Sequence, residues 1–152
     1  MTIDIDKQLS DIESLLTPDL IAAMTASERK QVMDLMKALE MSVRREKSQE
    51  EFLCFCASVW PAFIEGGHHR KMAEKFERVA SGECKRLMIN MPPRMGKSQL
   101  TSWLLPAWIM GKMPDKKIIM ASHTAELAVR FGRMVRNLIG SEEYKDIFPE
   151  TS

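Results

Sequence analysis

The sequence predicts an α/β fold in which a helical N-terminal arm precedes the first strands and helices of a parallel sheet. Two observations lead to this prediction. Up to about residue 80 the apolar residues recur with helical spacing, and beyond it two short apolar runs, 86–91 and 117–122, each precede a helical segment. We therefore predict an arm at 1–47 and a domain at 48–152 that contains a strand-helix-strand-helix unit.

Capping signals define the predicted helices of the first half. Thr17 before Pro18 fits a helix that starts with proline in its first turn, and Thr25-Ala-Ser-Glu28 fits a capping box. Ser48-Gln-Glu-Glu51 reads as a second capping box, which predicts that one helix ends near residue 47 and another begins. Pro61 then interrupts that second helix.

The second half contains four further predicted helices. The first covers about 69–80, and the next runs from Lys97 to about Met110, where Pro106 must kink or divide it and Gly111 ends it. Hydroxyl side chains precede the last two helices, at Thr124 and Ser141.

Composition narrows the class of protein. Apolar residues make up 45% and charged residues 28%, and no apolar run approaches the about 18 residues of a membrane span. The N-terminus lacks the pattern of a signal peptide, so we expect no export and three reduced cysteines. Net charge is −3 over residues 1–50 and +4 over 51–152. That mild basic bias is compatible with a polyanion partner, but it is weak, and ordinary solvated surface charge is the favoured interpretation.

The segment Met91-Pro-Pro-Arg-Met-Gly-Lys-Ser98 carries the residues of a phosphate-binding loop. Gly96 lets main-chain N–H groups turn inward at a helix start, Lys97 reaches the β- and γ-phosphates, and the Ser98 hydroxyl holds Mg²⁺. The full pattern has a glycine where Met91 stands, so the two prolines must shape the loop instead. Arg94 reads either as a surface arginine or as a second cation over the γ-phosphate.

From about His68 to Pro149 the chain resembles the large subunit of tailed-phage terminases, the ATPase-nuclease that packages DNA into proheads. Its most specific element is Pro-Pro-Arg-x-Gly-Lys-Ser after an apolar run. The other matching segments share the same order along the chain: His68-His-Arg70, Gly82-Glu-Cys-Lys-Arg86, Leu87 to Met91, Pro106-Ala-Trp108, Ile118-Ile-Met-Ala-Ser-His123, Leu127-Ala-Val-Arg-Phe-Gly132 and Tyr144 to Pro149.

The resemblance implies a sheet of the P-loop NTPase type, with ATP and Mg²⁺ as cofactors. It assigns catalytic roles to Lys97 and Arg94 and the metal contact to Ser98. It assigns nucleotide contacts to the residues of the loop and the start of the helix, which are Pro93, Arg94, Met95, Gly96, Lys97, Ser98 and Gln99. It also assigns a nucleotide contact to His69, which lies upstream in a region that contacts adenine. The glutamine often found in that upstream region is absent here.

The resemblance also implies partners and a location. These are double-stranded DNA, a small terminase subunit, a portal protein and further copies of the same chain in a ring, in the cytoplasm of the bacterial host. In such rings an arginine reaches into the neighbour's site. Arg130, Arg133 and Arg136 are candidates for that role, and each also reads as a residue that faces solvent or DNA.

Two parts of that machine are missing from the sequence. The family needs adjacent carboxylates at the end of an apolar strand, one for Mg²⁺ and one to activate water. None of the acidic residues after Ser98 lies at the end of an apolar strand; these are Asp115, Glu126, Glu142, Glu143, Asp146 and Glu150. The nuclease domain is missing as well. We therefore expect a fragment, a truncated gene product or one piece of a split gene, with little hydrolysis by itself.

Several alternatives stay open. The loop also fits a helicase-like translocase, and the acidic arm at 1–47 fits a non-catalytic module that docks a small terminase subunit or a portal. Cys54-x-Cys56 near His68-His69 could suggest zinc, but the spacing favours core thiols. The three tryptophans read as core residues rather than as platforms for bases; they are Trp60, Trp103 and Trp108.

Overall fold

The computed structural model describes residues 23–151 of the chain. The predicted helix start at Thr17 lies outside the described residues. The helical elements are α1 (Ala26–Glu50), α2 (Phe52–Val59), α3 (Gly67–Ala80), α4 (Lys97–Gln99), a π-helical segment (Leu100–Leu104), α5 (Leu105–Lys112), α6 (Ala125–Ile139), α7 (Glu142–Ile147) and a 3₁₀ turn (Pro149–Thr151). Two compact units divide the chain, Met1–Glu46 and Lys47–Ser152.

The predicted α/β fold is wrong for the part of the chain that the structure describes, which is helical and contains no strand. Segments 86–91 and 117–122 were predicted to be buried parallel strands, and they form no ladder with each other or with another described segment. Met88 is 84% exposed and Ile119 93% exposed. An apolar run favours extended backbone locally, but a sheet also needs partners for the N–H and C=O groups along it.

The helix starts were predicted with mixed success. Thr25 and Glu28 form the predicted capping box, in which the Thr25 N–H donates to Glu28 Oε2 at 2.8 Å. Thr124 Oγ1 accepts a hydrogen bond from the N–H of Leu127 at 3.3 Å, which confirms the start of α6. The capping box at Ser48 is wrong, because α1 continues to Glu50 and the buried Ser48 hydroxyl hydrogen-bonds to the Ser58 hydroxyl at 2.9 Å instead.

The elements α4, the π-helical segment and α5 follow one another without a break from Lys97 to Lys112. The π-helical bond from the Leu105 N–H to the Leu100 carbonyl comes directly before Pro106, which lacks an N–H and crowds the preceding turn. The helix therefore continues through the proline in a wider turn. Gly111 does not end it; a Cβ at Gly111 would lie 2.5 Å from the Phe148 ring, so glycine permits close packing there.

An aromatic core holds the second unit together. Phe52 packs edge-to-face against Phe76 and Trp108, with ring centroids 5.2 and 5.5 Å apart. The Trp108 indole N–H donates to the Ser48 carbonyl at 3.0 Å, and the Tyr144 hydroxyl donates to the Ala107 carbonyl at 2.9 Å. Both buried polar groups are thus satisfied. This network fixes α5, and with it the helix that begins at the predicted phosphate-binding loop.

Candidate phosphate-binding loop

The loop before α4 changes direction through two residues with left-handed backbone. Gly96 has φ 77° and ψ 1°, and Arg94 has φ 67°. Glycine adopts this region freely, whereas a residue with a Cβ gives up about 1–2 kcal/mol there. A non-glycine residue with left-handed backbone is uncommon in proteins as a whole. Where one occurs, it often lies at a functional site.

The helix start at Gly96 leaves main-chain donors without a cap. Gly96 is the N-cap residue of α4 and no side chain caps the first turn, while the Gly96 carbonyl accepts from the Leu100 N–H at 3.0 Å. The first amides of a helix have no partner within the helix, and the helix dipole places partial positive charge at this end. Such a start attracts an anion.

The predicted contact residues surround this helix start. Lys97 is half-buried in its first turn, and Ser98 and Gln99 are exposed beside it. The remaining predicted contacts precede Gly96 and are exposed: Pro93, Arg94 and Met95. The Thr101 hydroxyl donates to the Lys97 carbonyl at 2.8 Å, one turn earlier in the helix. The loop thus presents one ammonium group, one guanidinium group and one hydroxyl to solvent at an uncapped helix start.

His69, predicted to contact adenine, lies against this loop. Its Nε2 is 3.2 Å from the position that a Cβ on Gly96 would occupy. Its Nδ1 accepts a hydrogen bond from the Gly66 N–H at 3.1 Å, at the start of α3. Burial, followed by the electrostatic interaction with His68, lowers the pKa of His69, so the neutral ring is favoured at pH 7.

Aromatic rings continue from His69 toward the π-helical segment. Phe63 lies 5.2 Å from His69 and 5.7 Å from Trp60, and Trp60 lies 5.7 Å from Trp103, all measured between ring centroids. Within residues 23–151, buried side-chain nitrogens without a hydrogen-bond partner are found at His68 Nε2 and Trp103 Nε1. The sequence analysis missed this row because the residues come from three separate segments, and nothing local marks their contact.

The arginines proposed to act in a neighbour's site lie on α6, and all three are exposed. Arg130 and Arg133 line a shallow surface groove of about 510 Å³ with Val129 and Met134. Arg136 lies beside a second, apolar groove of about 320 Å³. The three side chains lie on the exposed side of α6. Their positions do not favour any one of them for a role in a neighbour's site.

The two cysteines of α2 lie in surroundings that favour the protonated thiol. Cys56 is fully buried, and burial raises its pKa far above the ordinary value. Burial and the neighbouring Glu51 raise the pKa of Cys54 to about 11, and its Sγ donates to a Glu51 carboxylate oxygen at 3.1 Å. Among residues 23–151, no group of three or more His, Cys, Asp and Glu side chains is placed to hold a metal ion.

Within the described range, no helix combines the length and the apolar character needed to cross a membrane. Comparison of the chain with protein-family models, with curated proteins and with solved structures finds no match.

Proposed function

We propose that the loop Met91–Ser98 binds the phosphates of ATP, and that the chain is the ATP-binding part of a terminase large subunit. The observation that carries the proposal is the left-handed Gly96 directly before an uncapped helix start whose first two residues are Lys97 and Ser98. Backbone amides, a lysine and a hydroxyl are the groups that hold phosphates and their metal ion in such loops.

Each loop residue has a stated part in this proposal. The amides of the first turn accept the phosphate oxygens, and the Lys97 ammonium neutralises charge on the β- and γ-phosphates. Mg²⁺ prefers oxygen ligands and takes most of them from phosphates and water, so the exposed Ser98 hydroxyl suits its coordination. Arg94 stands two residues before Gly96, where a guanidinium group can pair with the γ-phosphate.

The wider function rests on the resemblance of segment 68–149 to terminase large subunits. In that proposal the bound ATP belongs to a motor that moves double-stranded DNA into proheads in the cytoplasm of the bacterial host. Small terminase subunit, portal protein and further copies of the chain would be its partners. Binding of ATP by the loop is the part of the proposal that this chain can test by itself.

The test is a fluorescence titration with ATP and Mg²⁺ of the wild-type chain and of Lys97→Ala. Loss of a charged hydrogen-bond donor is expected to weaken binding by about tenfold or more. Lys116→Ala is the control, because Lys116 is exposed in a turn outside the loop. Its affinity and the melting temperature of both variants are expected to stay at the wild-type values. Unchanged affinity in a folded Lys97→Ala chain would remove the phosphate-binding proposal.

A further inference from the structure

The His69 ring joins two segments of main chain that are far apart in sequence. On one side its Nδ1 accepts from the Gly66 N–H at 3.1 Å, where α3 begins. On the other side its Nε2 faces Gly96, 3.2 Å from the position of a Cβ there, and the ring also interacts with the main chain of Met95. The side chain is only 9% exposed.

The hydrogen bond at Gly66 fixes which nitrogen carries the proton. A neutral imidazole has one donor and one acceptor nitrogen, and Nδ1 is occupied as the acceptor. The proton of the neutral ring therefore sits on Nε2, which faces the Met95–Gly96 main chain. His69 occupies the third position of α3, where a capping-box side chain usually bonds back to the N-cap amide. The helix start thus orients the ring, and the ring presents a donor to the loop.

We propose that His69 is a positioning residue, which holds the loop Met91–Ser98 in its left-handed conformation through Nε2 and is itself oriented by Gly66. Both ring nitrogens face main chain, Nδ1 at Gly66 and Nε2 at Gly96. Neither nitrogen is left to hydrogen-bond to adenine. The close approach also explains a second requirement for glycine at 96, because a Cβ there would press on the ring. The link to ATP affinity rests on the proposed function, whereas the effect on the loop does not.

The experiment uses two substitutions of His69. Each one keeps a polar group near the position of only one of the two ring nitrogens. The Asn side chain places an acceptor near the position of Nδ1 and does not reach the loop. The Gln side chain places an amide N–H near the position of Nε2. Hydrogen exchange of the Leu100 amide, which donates to the Gly96 carbonyl at 3.0 Å, is measured without nucleotide, with the amides of α3 as internal reference and a thermal melt as the test of folding.

For His69→Asn we expect exchange of the Leu100 amide to become about tenfold faster, because the loop that carries the Gly96 carbonyl loses one contact, with α3 unchanged. For His69→Gln we expect exchange within about threefold of wild type, because the contact with the loop is kept. Equal acceleration in both variants, or none in either, would overturn the role of Nε2. Because nucleotide is absent, this result stands whether or not the loop binds ATP.

A nucleotide arm separates positioning from a contact with the base. ATP and inorganic tripolyphosphate are titrated, each with Mg²⁺, into wild type and His69→Asn. If His69 positions the phosphate loop, the substitution weakens both ligands by the same factor, about tenfold. A loss confined to ATP would mean that His69 contacts adenine, and the positioning proposal would be wrong. Binding of neither ligand by wild type would contradict the proposed function and leave the exchange result intact.

The wild-type chain supplies a test that needs no variant. Burial and the electrostatic interaction with His68 lower the pKa of His69, while the carbonyls of Met95 and Ile64 and the Glu65 carboxylate oppose that effect. The ordinary pKa of histidine is 6.5, and the pKa of His69 lies below it. The ring is therefore neutral above pH 6.5, and it gains a proton only as the pH falls through its lowered pKa. A protonated Nδ1 can no longer accept from Gly66. Arg70, the next residue of α3, pairs with Glu65, and Arg94 and Lys97 flank Met95 and Gly96 along the loop.

Because Nε2 carries a proton in both the neutral and the charged ring, exchange of the Leu100 amide, corrected for the intrinsic effect of pH, is expected to stay constant between pH 7.5 and 5 in the wild-type chain. In His69→Gln it is expected to stay constant, because the glutamine does not titrate. Faster exchange in wild type at low pH would show that the bond to Gly66, rather than Nε2, holds the loop, and it would overturn the proposal even if neither variant folds.

Discussion

The two ends of the helix from Lys97 to Lys112 are built differently. At its C-terminal end Ala107 and Trp108 are fully buried, and hydrogen bonds from Trp108 to Ser48 and from Tyr144 to Ala107 tie it to other segments. At its N-terminal end Ser98 is exposed and the first amides lack a cap. The core holds one end of this helix, whereas the other end is open to solvent. Loops that bind ligands commonly lie on rigid elements of this kind.

Overpacking the buried end should give the largest effect on stability. Gly111→Ala places a Cβ 2.5 Å from the Phe148 ring, so we expect the free energy of unfolding to fall by about 1–3 kcal/mol. Gly132→Ala is the matched control in α6, where a Cβ meets nothing within 4 Å, and it should raise stability by about 0.5–1 kcal/mol. Urea unfolding of both variants measures the difference. Equal stabilities would contradict the packing of Gly111 on Phe148.

A smaller effect is expected from Tyr144→Phe. The substitution removes the buried hydrogen bond to the Ala107 carbonyl and keeps the ring, so we expect a loss of about 1 kcal/mol in unfolding free energy. Lys145→Ala is the neighbouring control; its ion pair with Glu142 is exposed and should contribute less than about 0.5 kcal/mol. Urea unfolding again provides the measurement. A Tyr144→Phe chain as stable as the control would show that this bond does not fix the helix.

At the open end, two substitutions of Arg94 separate the free-energy cost of its left-handed backbone from the role of its guanidinium group. Arg94→Gly suits the left-handed φ of 67° and should gain about 1 kcal/mol in unfolding free energy, whereas Arg94→Ala keeps the strain. If the guanidinium group pairs with the γ-phosphate, both variants should lose preference for ATP over ADP. Titrations with the two nucleotides measure this. Equal losses for ATP and ADP, or none, would make Arg94 a surface residue or a general phosphate contact.

The difference between the two ends also explains what could be predicted from the sequence. The helix starts at Thr25 and Thr124 follow from residues three positions apart, so their signals are local. The loop before Lys97 is local in the same sense, and glycine at 96 was identified from its neighbours. The two predicted strands were wrong because pairing joins distant segments, and the runs around Met88 and Ile119 have no partner among the described residues.

The site shows the same division between local and distant contacts. The contact of His69 with Gly96 joins residues 27 positions apart, and no periodicity reports it. The sequence marked His69 through a resemblance, as a residue near adenine, and the contact with the loop came from the structure. Gly111 was interpreted as a helix stop because glycine commonly follows a helix, whereas its surroundings require a small residue beside Phe148.

The most direct measurement is an amide NMR titration of the wild-type chain with ATP and Mg²⁺. Binding at the uncapped helix start places phosphate oxygens against the main-chain N–H groups of the loop. We predict the largest chemical-shift changes at Gly96, Lys97 and Ser98, smaller ones at Arg94 and His69, and none along the exposed face of α6. Unchanged loop amides at saturating ATP, or changes centred on another surface, would contradict the assignment of this loop as a phosphate-binding site.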